Sequence, residues 1–423
     1  MALTRGKPVC PVCVLRTGRQ QAGGFKKRDF QMKMLFLTTR LPFPPVGGEK
    51  LRAFNFLKYL SRDWEITLLT FVESEAEKGA LKDHGLDNLR VRSVALPRYQ
   101  SYLKCLGGFF SREPLETAYY ASSEMTRVVK EELDRTKYDL FFCHLIRMAP
   151  YVAGYRASKK VLDMCDAMSL RYSLSSRFRR GPFKFIEYLE SKRLERYEPE
   201  ISGKFDLSLV ASVEDKKFLE KNLGISGVEV VENGLNPEDL DFKEIPVDFK
   251  KIVFFSNMRT FHNVDAVQYF YKSIFPLIKE RIKEAKFFIV GASIPPCILR
   301  MSRDNSVRIV KDAPDIRAAV EDSCVSVAPM RVAVGIQNKI LQSMAFRIPV
   351  VATTRGLGGI QAKPGRDILI ADSPAEFAEK VIMLMEDPAL RERLRENAYR
   401  LAKEKYFWPN IAEELNKKLK SLI

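Results

Sequence analysis

Lys33–Val72 reads KMLFLTTRLPFPPVGGEKLRAFNFLKYLSRDWEITLLTFV, and this stretch decides the fold. It opens on a short run of apolar strand formers, the pattern of a strand buried on both faces. A loop with Pro42, Pro44, Pro45, Gly47 and Gly48 interrupts it. LRAFNFLKYLSR then repeats apolar residues at helical spacing, and EITLLTFV returns to strand. Strand, loop, helix and strand at this spacing make a βαβ unit, whose crossover requires parallel strands.

Outward from this unit the pattern continues. LRVRSVAL, YDLFFCHL, KKVLDMCD, DLSLVAS and VEVVENG read as further strands, with a long helix from about Phe183 to Ser202 among them. After NPEDLDFKEIPVDFK a second series begins: KIVFFSN, the helix VDAVQYFYKSIFPLIKERI, then AKFFIVGA, VRIVKDA, CVSVAP, IPVVATT and DILIAD. The expected fold is therefore α/β, with two Rossmann-like doubly wound domains facing a central cleft. The first spans 32–240 and the second 241–400, joined near residues 236 to 250. Residues 401–423 are expected to form a helix that returns to the first domain. At 423 residues, two cores are the default. Ligands of open α/β sheets bind outside the carboxyl ends of the strands, so function is expected in the cleft.

Residues 1–31 show no strand or helix period and read as a disordered leader. Cys10 and Cys13 form a single CxxC, half a zinc site at best, and no metal site is expected. The remaining cysteines are scattered in apolar settings, which suits reduced thiols in the cytoplasm. No run of about 18 apolar residues occurs, so no spanning helix is expected. The leader carries +6 of the formal charge of +17, leaving +11 for the rest. That excess favours an anionic partner: a phosphate-bearing substrate or a lipid surface. Nucleic acid is the other anionic class, but neither a recognisable binding module nor a dense basic stripe is present. SSRFRRGPFKF, Ser175–Phe185, interleaves four cations with three aromatic residues. It fits an anionic membrane surface, and equally a packed basic loop.

Chemistry-bearing residues gather at strand ends. Gly47 and Gly48 lie between a strand and a helix, where glycine admits either a tight turn or close approach of backbone N–H groups to a phosphate. The histidines are His84, in a polar loop, His144 and His262. His144 ends YDLFFCH, and a neutral imidazole there can donate or accept a hydrogen bond. Lys339 and Gln342 are three apart on one helix and so share a face. Asp166, in VLDMCDAMS, lines the other side. Asp265 is read as orienting or capping its helix.

Three segments in order, VENGLNPEDL (231–240), FFSNMRTFHNVDAV (254–267) and GIQNKILQSMAFRIPVVATTRGLGGI (335–360), resemble the donor domain of the GT-B glycosyltransferases. The likeness is to the large retaining family that includes sucrose-phosphate and phosphatidylinositol-mannose enzymes, especially the sugar transferases of exopolysaccharide systems. It covers about residues 32–415. It implies a nucleotide-sugar donor, a glycan or lipid-linked acceptor, no cofactor and no metal. It places Arg259, Lys339, Gly358 and Gly359 on the donor diphosphate, Gln342 on the ribose, His144 on the transferred sugar, and Gly47, Gly48 and Asp166 on donor or acceptor. Two departures stand out. The family's two carboxylates fall at Val334 and Gln342, and its arginine falls at Asn257, two places before Arg259. A relative without catalysis that binds a nucleotide sugar or a glycan is the alternative those departures leave open, with a basic nucleic-acid-binding protein behind it.

Overall fold

The computed structural model describes residues 32–423 except 46, 74–76, 78, 80–84, 109–110 and 242–244. The leader, its CxxC pair and His84 lie outside the described residues.

The seven strands of the first sheet are β1 (Lys33–Thr38), β2 (Glu65–Val72), β3 (Leu89–Ala95), β4 (Leu140–His144), β5 (Lys159–Cys165), β6 (Leu207–Val210) and β7 (Val228–Val230). They pair in parallel in the order β3-β2-β1-β4-β5-β6-β7. The second sheet holds β8 (Asp248–Phe255), β9 (Lys286–Gly291), β10 (Val307–Lys311), β11 (Ser323–Ala328), β12 (Val350–Ala352) and β13 (Leu369–Ile370). Its order is β10-β9-β8-β11-β12-β13, again parallel. In each sheet the order reverses beside the first strand, between β1 and β4 and between β8 and β11. Those switch points open the crevices where α/β sheets bind ligands.

The helices used below are α1 (Gly48–Leu60), α2 (Arg98–Gly108), α3 (Leu115–Tyr120), α4 (Ser123–Arg135), α5 (Met168–Phe178), α6 (Pro182–Ser202), α7 (Phe261–Tyr269), α8 (Asn338–Ala345), α9 (Pro374–Glu386), α10 (Pro388–Lys405) and α11 (Trp408–Leu422). Alternation along β1 explains the first domain's two cores. Leu35 and Leu37 pack on one face and Met34 and Phe36 on the other. The helix expected over 264–282 is broken: α7 passes through a π-turn at Phe270–Ile274 before helix resumes at Phe275–Arg281. Pro276 accounts for this. It cannot donate to an i−4 carbonyl, and a wider turn removes the ring clash.

The chain crosses between domains twice. It leaves the first domain after Leu235 and returns at Phe407, where Leu235 N–H donates to the Tyr406 carbonyl (2.7 Å) and Trp408 N–H to that of Leu235 (3.0 Å). Tyr406 belongs to the second core and Trp408 to the first. α11 then lies on α1, with Trp408 edge-on to Phe56 and Trp64 Nε1 donating to Asn416 (2.7 Å).

Candidate active site

At the switch point of the first sheet, Gly47 caps α1 with φ +96, a conformation that favours glycine. Gly48 sits so close to the second domain that a Cβ would lie 3.2 Å from Asn338 Nδ2. The next residue, Glu49, holds its carboxyl down at about 2. Burial opposes ionisation, but Arg147, Arg40 and the hydroxyl of Thr39 prevail.

His144 ends β4 as the strand pattern requires, yet its ring is fully buried. Nδ1 lies 2.8 Å from Asp163 Oδ2 and Nε2 3.1 Å from the Glu49 carbonyl. Both ring nitrogens are therefore engaged, and the imidazole does not face open space. Asp163 in turn accepts from Arg52 through Nε and Nη2, both 2.9 Å at closest. Burial would raise the Asp163 carboxyl, but Arg52 and His144 hold it well below the usual range. Arg52 Nη1 continues to the Val231 carbonyl (2.7 Å) and Asn233 Oδ1 (3.0 Å). Asn233 Nδ2 then donates to Asn338 Oδ1 (3.0 Å) at the start of α8. A hydrogen-bonded chain thus runs from His144 across the domain interface to the helix that carries Lys339 and Gln342.

Two non-glycine residues bracket this network in the left-handed region, Leu145 (φ +74) after β4 and Cys165 (φ +63) at the end of β5. Such conformations cost about 1–3 kcal/mol each and persist where the surroundings impose them. The Nδ1, carboxylate and Sγ atoms of His144, Asp163 and Cys165 lie within 4.8 Å of one another. Arg52 and His144 already use both Asp163 oxygens, so this is a buried ion-pair network.

The second-domain side is cationic. Lys339 is buried, and among the described residues its Nζ contacts only neutral groups: Asn263 Oδ1 (3.0 Å), Gln337 Oε1 (3.1 Å), Met330 Sδ (3.7 Å) and the face of Phe254. Burial alone pushes its ammonium down to about 7. His262, at the start of α7, is pushed down to about 3 by burial, Lys339 and Arg171. Arg171 belongs to α5 of the first domain, where it also pairs with Glu116 at 3.2 Å, so a first-domain arginine lies near a second-domain histidine. Arg259 is exposed in the loop after β8, its own N–H taken by Asn257 Oδ1 (3.0 Å). Gln342 is half-buried on α8. Asp265 does not cap α7; it pairs with Arg331, its Oδ2 accepting from Nε at 3.0 Å.

The carboxylates lie on the opposite wall. Asp166 packs against Gly335, where a Cβ would come within 2.0 Å of its Oδ1. Asp215 accepts from Gly335 N–H (2.8 Å) and Ala167 N–H (3.3 Å). Burial and Asp166 push Asp215 up to about 7, and burial raises Asp166 as well. Gly358 packs against Gly335 of its own domain, and Gly359 serves the interface. A Cβ on Gly358 would lie 2.8 Å from the Gly335 carbonyl, and one on Gly359 2.3 Å from Ser212 Cβ. Gly359 thus gives its side-chain space to the first domain.

Phe178 and Arg179, from the basic-aromatic segment, also meet the second domain. Arg179 stacks on Phe261 at 3.8 Å, and Arg331 lies 4.7 Å from the Phe178 ring. Phe183 and Phe185 remain exposed. The residues that sequence reasoning passed over are Arg52, Asp163, Arg171 and Asp215. Arg52 and Asp163 carried a signal: each is charged within an otherwise apolar helix face or strand, which demands a buried partner.

Residues 249–387 match the family described as Glycosyl transferases group 1. Over 390 residues the chain is 20% identical to an uncharacterized 44.6 kDa protein in the cps region of Klebsiella pneumoniae, covering 88% of this chain and 96% of that one. The fold matches that of Anabaena HepE in complex with UDP-glucose (TM-score 0.66, 16% identity, 92% of this chain and 100% of that one). It also matches sucrose-phosphate synthase from Thermosynechococcus elongatus (TM-score 0.68, 14% identity, 93% and 99%). The resemblance to GT-B glycosyltransferases read from the sequence therefore holds.

Proposed function

We propose that this chain, of the GT-B fold and matching the group 1 glycosyl transferases over residues 249–387, transfers a sugar from a nucleotide-sugar donor to a glycan or lipid-linked acceptor. The observation that carries the reading is Lys339, a buried cation with no carboxylate partner among the described residues, close enough to His262 to push its imidazole down. A buried charge left among neutral groups is costly. A diphosphate between the domains would supply the missing anion, with Arg259 at its exposed end and Gln342 on the ribose. Basic groups there stabilise charge that grows on the leaving phosphate.

In the retaining reaction we propose, the anomeric carbon–phosphate bond breaks and the acceptor oxygen bonds the same face. The acceptor proton passes to the leaving phosphate oxygen, so no protein carboxylate enters the attack. His144, held by Asp163 and the Glu49 carbonyl, acts from beneath the donor by fixing the α1 N-terminus. No cofactor or metal enters the scheme. The cps-region relative favours a role in cell-surface or exopolysaccharide synthesis. No helix of the described residues is long and apolar enough to cross a membrane. Tyr99, Tyr102, Leu103 and Leu106 of α2, all exposed, support peripheral contact with an anionic membrane surface.

The test is a thermal-shift panel of nucleotide sugars, led by UDP-glucose, which HepE binds. A ligand at a hundred times its Kd should add about 2.7 kcal/mol to apparent stability. Lys339→Ala should abolish the shift. No shift with any nucleotide sugar sinks the proposal. Val334 and Gln342, where the family has carboxylates, favour one second reading, a relative that binds donor without turnover. Donor binding without hydrolysis or transfer would select it.

A further inference from the structure

A sizeable cavity lies outside the cleft. It occupies about 1110 Å³ on the flank of the first domain, bounded by α2, α3, α4 and α6, and extends to the amino ends of β5 and β6. That exceeds the roughly 300–1,000 Å³ of a drug-sized ligand site, so a single sugar would not fill it.

Its wall has two characters. Hydroxyls of Thr117, Ser122, Ser123 and Thr126 alternate with the rings of Tyr120, Tyr151 and Tyr197. The Tyr197 and Thr117 hydroxyls are buried and lie close enough to interact with each other. Such a wall suits saccharides, whose ring C–H faces pack on aromatics while their hydroxyls exchange hydrogen bonds. The second character is an excess of positive charge: five Lys and Arg side chains line the cavity against Glu113 and Glu200, and Lys204 pairs with Glu200 at 3.0 Å. Lys160 is 9% exposed and holds only the Ala153 carbonyl (3.0 Å) and the face of Phe205. Burial and the charge of Arg156 push its ammonium down, against the pull of Asp206. Lys104 donates to the Ala121 carbonyl, and Arg156 has no ion pair among the described residues.

We propose that this cavity is a second binding site, for a segment of acidic oligosaccharide bearing carboxylate or phosphate. Lys104, Arg156 and Lys160 hold the anionic groups, while Tyr197 and Thr117 hold sugar hydroxyls. Lys160 stands near the amino end of β5 and Lys204 in the turn before β6, away from the switch point, while Arg147 lies between this cavity and Glu49. The site needs no turnover, so its failure and that of the transferase reading are separable.

The test measures binding of three labelled probes by fluorescence polarisation at low salt. They are an oligogalacturonate, a phosphorylated mannose pentasaccharide and neutral maltopentaose. At least one acidic probe should bind about tenfold or more tighter than maltopentaose, and the tighter of the two identifies the anion. The double variant Lys104→Gln/Arg156→Gln alters two exposed side chains. It should weaken acidic binding about fivefold or more and leave the UDP-glucose thermal shift unchanged. Tyr197→Phe should weaken all saccharide binding without unfolding the domain. Equal affinity for the neutral probe, acidic binding untouched by the double variant, or full displacement by equimolar inorganic phosphate would each overturn the assignment.

Discussion

Lys339 shows what a single residue can store. With its ammonium pushed down to about 7, the empty site at pH 8 is largely uncharged there. A diphosphate would draw a proton back onto it. Binding above pH 7 must then include proton uptake, and affinity should fall as pH rises, by up to about tenfold per unit. Below pH 7 the lysine is protonated in both states and the dependence vanishes. Calorimetry of UDP in buffers of different ionisation enthalpy reads this directly. A buffer-independent enthalpy at pH 8, or one unchanged in Lys339→Met, would remove Lys339 from the phosphate. Gln342 offers a second test. Gln342→Glu should tighten donor binding or raise turnover if position 342 holds a ribose, since a charged acceptor roughly doubles hydrogen-bond strength. Loss of both would give the glutamine a role of its own. These residues were legible because spacing on a helix fixes which side chains share a face. His144 was only half legible. A strand end places a Cα at the crevice, but whether the ring reaches it depends on Asp163 and Glu49, one on a neighbouring strand and one at the start of α1.

Elements were legible where their pattern was local. Thirteen strand-like runs became thirteen strands, since buried parallel strands announce themselves as unbroken apolar stretches. The π-turn before Pro276 and the glycines at 335, 358 and 359 were not, because their meaning depends on what faces them from elsewhere. α2 shows a local pattern with an unexpected direction. Tyr99, Tyr102, Leu103 and Leu106 fall at i, i+3, i+4 and i+7, which normally marks a core face. All four are at least 62% exposed, and Ser101 is the buried residue of the helix. An outward apolar stripe beside Lys104 fits the interfacial plane of an anionic bilayer. Leu103→Glu/Leu106→Glu should therefore reduce co-sedimentation with phosphatidylglycerol vesicles at low salt severalfold. Its unfolding midpoint should barely move, because neither side chain packs in a core. Undiminished co-sedimentation would exclude α2 as the contact.

At the scale of the molecule, the two domains meet through groups that titrate. Asp215 faces Asp166, Glu198, the Ser212 hydroxyl and the N–H groups of Ala167 and Gly335; Arg171 lies beyond Asp166. Its carboxyl is raised to about 7, so the folded interface prefers the proton. Stability from such a group is complete below the unfolded value near 4 and is lost as pH rises through about 7. The contact should loosen between pH 5.5 and 8.5, and the radius of gyration should grow. Asp215→Asn, which cannot ionise, should hold one radius throughout. Equal radii for the wild type at both pH values would show that other contacts set the domain angle. Donor binding should shrink the radius at pH 8.5, since cations from both domains would close on one diphosphate.

The double crossing at Leu235 and Phe407 also sets an order of events during synthesis. Ribosomes release domains from the amino end, and each usually folds as it emerges. Here the first sheet is complete once β7 has left the ribosome, but the face covered by α11 stays bare. Phe56 and Trp64 must wait for Trp408 and Asn416, through the translation of the entire second domain. During that interval the nascent chain carries an uncovered aromatic face, the kind of surface that chaperones hold. The second domain, enclosed between the two crossings, has no such delay and can reach its native packing first.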